Sequence, residues 1–249
     1  MKNTKNTMTA PVETIINNET AFAVAESYKT IRTNIMYSMP KSKDGKVIVM
    51  TSSAAGDGKT TNVINLAITF AQIKERVLLI DCDLRKPKVH RYLKLDKRDG
   101  LSNVLCGFTD LSKAIKVGVR ENLDVITAGE TPPNPAELIQ SYEFERLLAF
   151  LKTKYDYIFI DTPPVNVVTD ASLAVKYSTG VVLLMRRNYT TYEMLDDAVE
   201  NLKKVDANIL GVVMIDSKEG NGVGSNYKYG KYKYAGYSAY DTSSGSDRK

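Results

Sequence analysis

Six short runs of valine, isoleucine and leucine, separated by stretches with helical periodicity, are the feature that most constrains the fold of this chain. Continuous apolar runs of this length are typical of strands buried on both faces of a sheet. Their alternation with amphipathic segments predicts a mostly parallel sheet covered by helices, the α/β doubly wound architecture. The predicted strands cover residues 46–52, 76–81, 123–127, 157–161, 181–185 and 209–215.

Segments outside the predicted sheet divide the chain into three parts. Residues 20–39 are expected to form an amphipathic helix before the first strand, and a turn-like linker follows. Beyond Ser217 the chain is largely Gly, Ser, Asn, Lys and Tyr, with too little apolar surface to offset the entropy of ordering. We therefore predict an N-terminal arm and helix at 1–43, the α/β domain at 44–218, and a disordered tail at 219–249.

Composition limits the functions that this chain can have. With 249 residues, 43% of them hydrophobic, the chain is long enough for one α/β domain with a complete core. Its longest apolar run is far shorter than the roughly 20 residues of a membrane span, so any membrane association is expected to come from a partner. Its two distant cysteines favour a reducing compartment. The tail beyond Asn226 has five basic and two acidic residues, which leaves the body close to neutral and predicts no nucleic-acid partner.

The segment after the first predicted strand has the composition of a phosphate-binding loop. It reads Ser-Ala-Ala-Gly-Asp-Gly-Lys-Thr over residues 53–60 and leads directly into a helix. Glycines let backbone N–H groups approach phosphates, the lysine pairs with the β and γ phosphates, and the threonine hydroxyl binds Mg²⁺. A serine stands where the usual pattern begins with glycine, and a purely structural turn is the alternative. The predicted nucleotide site consists of Ala55, Gly56, Asp57, Gly58, Lys59, Thr60 and Thr61.

Three aspartates follow two further predicted strands at the same edge of the sheet. Asp81 and Asp83 occupy alternate positions of an extended segment, so both side chains project to one side. Asp161 ends another strand, where P-loop proteins carry the carboxylate that holds the metal. Capping of the following helix is the alternative for each aspartate taken alone. Because all three converge on Lys59, we predict a P-loop NTPase-type site at this edge.

Together these motifs resemble the bacterial tyrosine kinases of capsular and exopolysaccharide synthesis, which are relatives of the deviant Walker ATPases. The resemblance extends from about Glu26 to the final tyrosines. It implies a cytoplasmic protein-tyrosine kinase subunit that uses ATP and Mg²⁺. The motifs that carry it are the phosphate-binding loop, Asp-Cys-Asp-Leu-Arg at 81–85, Asp-Thr-Pro-Pro at 161–164, and Gly-Glu-Thr-Pro-Pro-Asn-Pro-Ala-Glu-Leu at 129–138.

The resemblance also implies a role for each site residue. Asp81 would accept the tyrosine proton, Asp83 would coordinate Mg²⁺, and Asp161 would assist the metal through water. Arg85 would stabilise phosphate or support the site. Because a carboxylate is a weak base for a phenol of pKa about 10, Asp81 would mainly orient the hydroxyl. The implied catalytic set is Lys59, Asp81, Asp83, Arg85 and Asp161, and the implied metal set is Thr60, Asp83 and Asp161.

One departure from the family concerns the nucleotide base. Relatives commonly carry asparagine at the end of the last strand, where this chain has Asp216. An amide both donates and accepts hydrogen bonds, whereas an ionised carboxylate only accepts them. We therefore expect Asp216 to contact the base with weaker selectivity for adenine than an asparagine would give.

The resemblance implies several partners. The family carries an E-x-x-R-x-x-R helix that packs subunits into a ring such as an octamer, and the matching residues here are Glu26, Lys29 and Arg32. Lysine lacks the planar fork that pairs bidentately with a carboxylate, and ordinary solvation of an exposed helix is the alternative. Members without membrane spans depend on a transmembrane activator of the polysaccharide co-polymerase type, which brings them to the inner face of the membrane. A cognate tyrosine phosphatase completes the expected set.

The C-terminal tail combines tyrosines with residues that cannot build a core. Accessible hydroxyls on a flexible tether suit the acceptor of a kinase, and each phosphate would add about −1.5 to −2 charge. A sticky aromatic tail that binds carbohydrate, a protein or a membrane surface is the alternative. The predicted phosphoacceptors, modified by a neighbouring copy of the chain, are Tyr227, Tyr229, Tyr232, Tyr234, Tyr237 and Tyr240.

Two other functions are compatible with a phosphate-binding loop on this fold. A partitioning or cell-division ATPase switch typically has an additional lysine early in the loop, where this chain has Ala54. A regulatory subunit that binds nucleotide without transferring phosphate needs no complete set of acidic residues. The presence of Lys59, Asp81, Asp83 and Asp161 favours the kinase over both alternatives.

Overall fold

The computed structural model describes residues 15–42 and 44–215, and in this part of the chain seven strands form one sheet. The strands are Lys46–Ser52 (β1), Val77–Asp81 (β2), Ile115–Arg120 (β3), Leu123–Ile126 (β4), Tyr157–Asp161 (β5), Gly180–Arg186 (β6) and Ile209–Ile215 (β7). The helices are Phe22–Ser38 (α1), Lys59–Ala71 (α2), Val89–Tyr92 (α3), Leu101–Leu105 (α4), Leu111–Ala114 (α5), Pro135–Gln140 (α6), Tyr142–Lys152 (α7), Asp170–Val175 (α8) and Tyr192–Lys203 (α9).

The sheet has the order β3-β4-β2-β5-β1-β6-β7 and is parallel except for the pair β3 and β4. The predicted α/β doubly wound, mostly parallel sheet is thereby confirmed. Strands β1, β5 and β7 have the predicted bounds, and the other three predicted strands differ by one residue at one or both ends. Because β1 and β5 pair in the centre, the ends that carry the phosphate-binding loop and Asp161 are adjacent.

The two edge strands depart from the sequence analysis. Strand β3 was not predicted, because its residues are partly or fully exposed and give no continuous apolar signal. Strand β7 was predicted to be buried on both faces, and this is wrong: Val212 and Met214 are exposed at the edge of the sheet. An apolar run on an edge strand has the same composition as one in the centre, so the sequence does not distinguish the two positions.

Alternate residues of the central strands supply two separate cores, one on each face of the sheet. In β1, Val47 and Val49 pack towards the face covered by α7, α8 and α9, while Ile48 and Met50 pack towards α2. Helix α2 is buried on nearly every side, because α1 covers the surface that faces away from the sheet. This helix therefore carries the phosphate-binding loop on a rigid support.

Helix α1 confirms the predicted N-terminal helix and lies against α2. Ile35 is buried in the interface, and the Arg32 guanidinium donates to the backbone carbonyl of Thr69 at 2.7 Å. Among the residues that the structure describes, no helix has both the length and the apolar character of a membrane span. The tail prediction at 219–249 and most of the predicted arm lie outside the described residues.

Candidate active site

The phosphate-binding loop owes its shape to two glycines with left-handed backbone conformations. Gly56 has φ 96° and Gly58 has φ 74°, values that side-chain-bearing residues rarely adopt. Gly58 is the N-cap of α2, so Lys59 and Thr60 form its first turn. The backbone N–H groups at a helix start have no partner within the helix, and the helix dipole adds positive potential there. This geometry is suited to an anion such as phosphate.

The side chain of Asp57, which was predicted to bind the nucleotide, points towards other residues of the loop and not into the cavity described below. Its carboxylate accepts hydrogen bonds from Ser53 Oγ at 3.3 Å, from Ala54 N at 3.1 Å and from Thr190 Oγ1 at 3.1 Å. The side chain is 1% exposed. Ser53 is thereby accommodated where the usual pattern has glycine, and Thr190 connects the loop to the segment between β6 and α9. The Tyr189 hydroxyl adds a further contact by donating to the carbonyl of Ala55 at 3.2 Å.

Lys59, Thr60 and Asp161 form a buried cluster beside the loop. The Lys59 ammonium lies 2.8 Å from Asp161 Oδ1, and Thr60 Oγ1 donates to Asp161 Oδ2 at 2.7 Å. Burial lowers the pKa of Lys59, but Asp161, together with the charges of Asp83 and Asp81, outweighs this effect and the pKa is raised overall. Burial also raises the pKa of Asp161, against the opposing influence of Lys59. The Lys59 ammonium is therefore charged, and its ion pair with Asp161 keeps it beside the phosphate-binding loop.

The two aspartates after β2 have different environments. The Asp81 carboxylate is fully buried and accepts from the backbone N–H groups of Val89 at 3.1 Å and Asp83 at 3.3 Å. Burial, together with the charge of Asp161, raises the pKa of Asp81 well above its ordinary value. Asp83 is partly exposed, and its Oδ1 accepts from the backbone N–H of Lys86. Asp81 thus retains a proton to higher pH than a solvated aspartate.

Arg85 makes a bidentate ion pair that the sequence did not reveal. Its Nε and Nη2 donate to the two carboxylate oxygens of Asp170, at 2.8 and 3.0 Å. Asp170 is fully buried at the start of α8, whereas 40% of the Arg85 side chain is exposed. Of the two roles implied for Arg85, this pair favours support of the site. No motif signals Asp170, because its partner lies 85 residues away along the chain.

A cavity of about 390 Å³ lies between the phosphate-binding loop and the segments that follow β2 and β5. Of the predicted site residues, Ala55, Gly56, Gly58, Lys59, Thr60, Thr61, Asp83 and Arg85 line it. Lys86, Lys88, Tyr92, Pro163, Pro164, Val167 and Val168 complete much of the opposite wall. Asp57, Asp81 and Asp161 lie behind the cavity wall and do not line it. The structure therefore brings the predicted loop and Asp83 to one cavity, with three buried carboxylates behind its wall.

The oxygen atoms at this cavity fit a magnesium ion that is shared with phosphates. Mg²⁺ is usually held by one or two carboxylates together with phosphate oxygens and water. Thr60 and Asp83 offer such hard oxygen donors in the cavity, while Asp161, predicted as a third, lies behind the wall and accepts from Thr60. In the described part of the chain there is no cluster of three or more acidic, histidine or cysteine side chains that could hold a metal alone. A metal here would thus depend on the bound nucleotide.

Other predicted functional residues lie away from the cavity or outside the description. On α1, Lys29 pairs with Glu26 at 2.7 Å, an exposed contact within one helical turn. Arg32 contacts α2, as described above. Asp216 and the six tail tyrosines lie outside the described residues, so their predicted roles stay predictions.

Comparison with known proteins agrees with the geometry of this site. A family model described as an AAA domain matches residues 45–212. Tyrosine-protein kinase YwqD of Bacillus subtilis is 37% identical over 208 residues, covering 84% of this chain and 86% of the relative.

Two solved structures are also similar. The chimerical protein CapA2B2 superposes with a TM-score of 0.73 at 39% identity, covering 77% of this chain and 83% of that one. The kinase domain of Escherichia coli tyrosine kinase ETK superposes with a TM-score of 0.75 at 28% identity, covering 82% and 80%. Fold, loop and relatives agree, and the chain belongs to the family of bacterial tyrosine-protein kinases.

Proposed function

We propose that this chain transfers the γ-phosphate of ATP to protein tyrosines. The observation that carries the proposal is the charged Lys59, held by the buried Asp161 at a phosphate-binding loop whose cavity also contains Asp83. The relatives named as tyrosine-protein kinases support the same chemistry. Phosphoryl transfer needs little covalent chemistry from a protein, so positioning and charge neutralisation are expected to supply most of the acceleration.

Each site residue has a role in this proposal. Backbone N–H groups of the loop and the Lys59 ammonium would hold the β and γ phosphates, while Thr60 and Asp83 would hold the metal and Asp161 would support it. When bound, Mg²⁺ neutralises charge on the phosphates. The resemblance gives Asp81 the role of orienting the tyrosine hydroxyl and receiving its proton late in the transfer. Because the Asp81 carboxylate is fully buried behind the cavity wall, this role requires the segment after β2 to move when the substrate binds.

The acceptors that we propose are the tail tyrosines between residues 227 and 240, modified by a neighbouring chain. Support comes from their density in a segment that has no valine, leucine or isoleucine. In the cell, the chain would regulate capsular or exopolysaccharide synthesis and export. It would work at the inner face of the membrane with a transmembrane activator, in a ring formed through α1, and a tyrosine phosphatase would reverse the modification. These partners follow from the family resemblance.

The test is to incubate the purified full-length chain with Mg·ATP and map phosphotyrosine by mass spectrometry. We expect modification within 227–240, its loss in Lys59→Met, and no loss in Lys203→Met, which removes an exposed lysine on α9. Mixing Lys59→Met with a chain truncated after Asn226 tests the direction of transfer. Phosphate on the tail of the inactive variant would demonstrate transfer between chains, and an unmodified tail would refute it.

The same experiment separates the two alternative functions. An ATPase switch would release inorganic phosphate while its tyrosines stay unmodified. A regulatory subunit would bind nucleotide with neither product. Either outcome would contradict the kinase proposal.

A further inference from the structure

Five residues form a continuous hydrogen-bond chain from the N-terminal arm to the phosphate-binding loop. Ile16 N donates to Asn65 Oδ1 at 2.9 Å, and Asn65 Nδ2 donates to the Tyr28 hydroxyl at 3.0 Å. Tyr28 in turn donates to Asn62 Oδ1 at 2.8 Å, and Asn62 Nδ2 donates to the carbonyl of Gly58 at 2.8 Å. Tyr28 is the contribution of α1, and both asparagines belong to α2.

The donor and acceptor in each of these hydrogen bonds are determined by the two backbone groups at the ends of the series. The Ile16 N–H can only donate, so Asn65 must present its oxygen there and its amide nitrogen to Tyr28. The Gly58 carbonyl can only accept, so Asn62 must present its nitrogen there and its oxygen to Tyr28. The Tyr28 hydroxyl therefore accepts from Asn65 and donates to Asn62, and no amide can flip without losing two bonds.

The last bond of the chain acts on the nucleotide site. The Gly58 carbonyl and the Lys59 N–H belong to one planar trans peptide group, in which they point in opposite directions. The Gly58 carbonyl accepts from the backbone N–H of Asn62 at 3.1 Å as well, so the side-chain amide is a second donor that restricts the orientation of this carbonyl. A fixed carbonyl in turn fixes the Lys59 N–H towards the open end of α2, where it has no helical partner. A Cβ added to Gly58 would approach Asn62 Nδ2 to 3.3 Å, so the amide packs closely against this left-handed residue.

We propose that Tyr28 is a positioning residue for nucleotide binding: through Asn62 it holds the Gly58–Lys59 peptide group in the orientation that receives phosphate. The inference rests on the proposed nucleotide site but adds a residue on α1 that touches no nucleotide. The same hydrogen bonds connect α1 to the phosphate-binding loop, so a movement of α1 would change the orientation of the Gly58–Lys59 peptide group. Asn62 and Asn65, polar residues in an otherwise apolar stretch of α2, are the sequence signal for this arrangement.

The test measures the dissociation constant of Mg·ADP for the full-length chain. Tyr28→Phe removes only the hydroxyl, which leaves an acceptor and a donor unpaired, and should weaken binding about fivefold, the change that corresponds to one hydrogen bond. Tyr37→Phe is the matched control, because Tyr37 lies on the same helix and is 88% exposed. It should bind Mg·ADP like the unmodified chain.

Two further variants separate positioning from simple loosening of α1. Ile35→Val removes a buried methylene from the interface with no change to the hydrogen-bond chain, so it should lower the melting temperature without changing Mg·ADP affinity. Asn62→Ala should weaken binding, and adding Tyr28→Phe to it should have no further effect, because the connection is already broken.

Equal affinities of Tyr28→Phe and the unmodified chain would overturn the inference alone, as would an equal loss in Ile35→Val. Failure of the unmodified chain to bind Mg·ADP would instead overturn the proposed function.

Discussion

Removal of Lys59 should destabilise the protein in the absence of any ligand, because it leaves Asp161 as a buried charge without its cation. Loss of one partner from a buried ion pair costs about 3–5 kcal/mol. Two features place this case at the lower end, about 3 kcal/mol. Thr60 continues to donate to Asp161 Oδ2, and burial already raises the pKa of Asp161, so the carboxyl takes up a proton readily once Lys59 is gone.

This reasoning also fixes the sign of the pH dependence in Lys59→Met. A carboxyl whose folded-state pKa lies above its unfolded value binds more protons in the folded state between those two pKa values. Stability therefore falls as pH rises through that window. The loss relative to the unmodified chain should be larger at pH 8 than at pH 5.5.

Urea denaturation followed by circular dichroism, without nucleotide or divalent metal, measures the effect. Asp161→Asn added to Lys59→Met removes the unpaired charge and should restore most of the stability. The double-mutant cycle should show a coupling of about 2 kcal/mol between the two positions. Equal stability of Lys59→Met and the unmodified chain at pH 8, or no recovery in the double variant, would refute a buried charged pair.

Three further predictions concern residues around the site. Arg85→Met should lower the free energy of unfolding by about 3 kcal/mol, at least twice the loss in Asp170→Asn. Arg85→Met leaves a fully buried carboxylate without a partner, whereas Asp170→Asn leaves a partly exposed guanidinium that water can solvate. Comparable denaturation midpoints of the two variants would contradict this. One thiol per native chain, that of Cys106, should react with a maleimide at pH 7, because Cys106 is exposed while burial both hides Cys82 and raises its pKa. Peptide mapping identifies the labelled cysteine, and rapid labelling of Cys82 would argue against the described core. Phe70→Ala should lower the free energy of unfolding by about 3–5 kcal/mol, because the ring is fully buried against two aromatic rings within 5.1 Å; calorimetry showing less than 1 kcal/mol would indicate looser packing.

Much of the fold could be read from local composition. The central strands could be predicted because a run such as 157–161 has only aromatic and aliphatic side chains before Asp161. The phosphate-binding loop could be predicted because Gly56 and Gly58 permit the left-handed conformations and Lys59 follows them directly. Both signals are contained within a few residues, so they need no knowledge of the rest of the chain.

The tertiary structure alone decided which remote groups meet. The sequence could not show that Asp57 turns towards Thr190, 133 residues away, or that Arg85 pairs with Asp170. Nor could it show that Tyr28 connects α1 to Gly58 through Asn62. Such contacts depend on which strands are neighbours and on how each helix lies across the sheet. The physical reason is that the type of a polar side chain shows that it needs a hydrogen-bond partner when it is buried, whereas the identity of that partner depends on the fold of the whole chain.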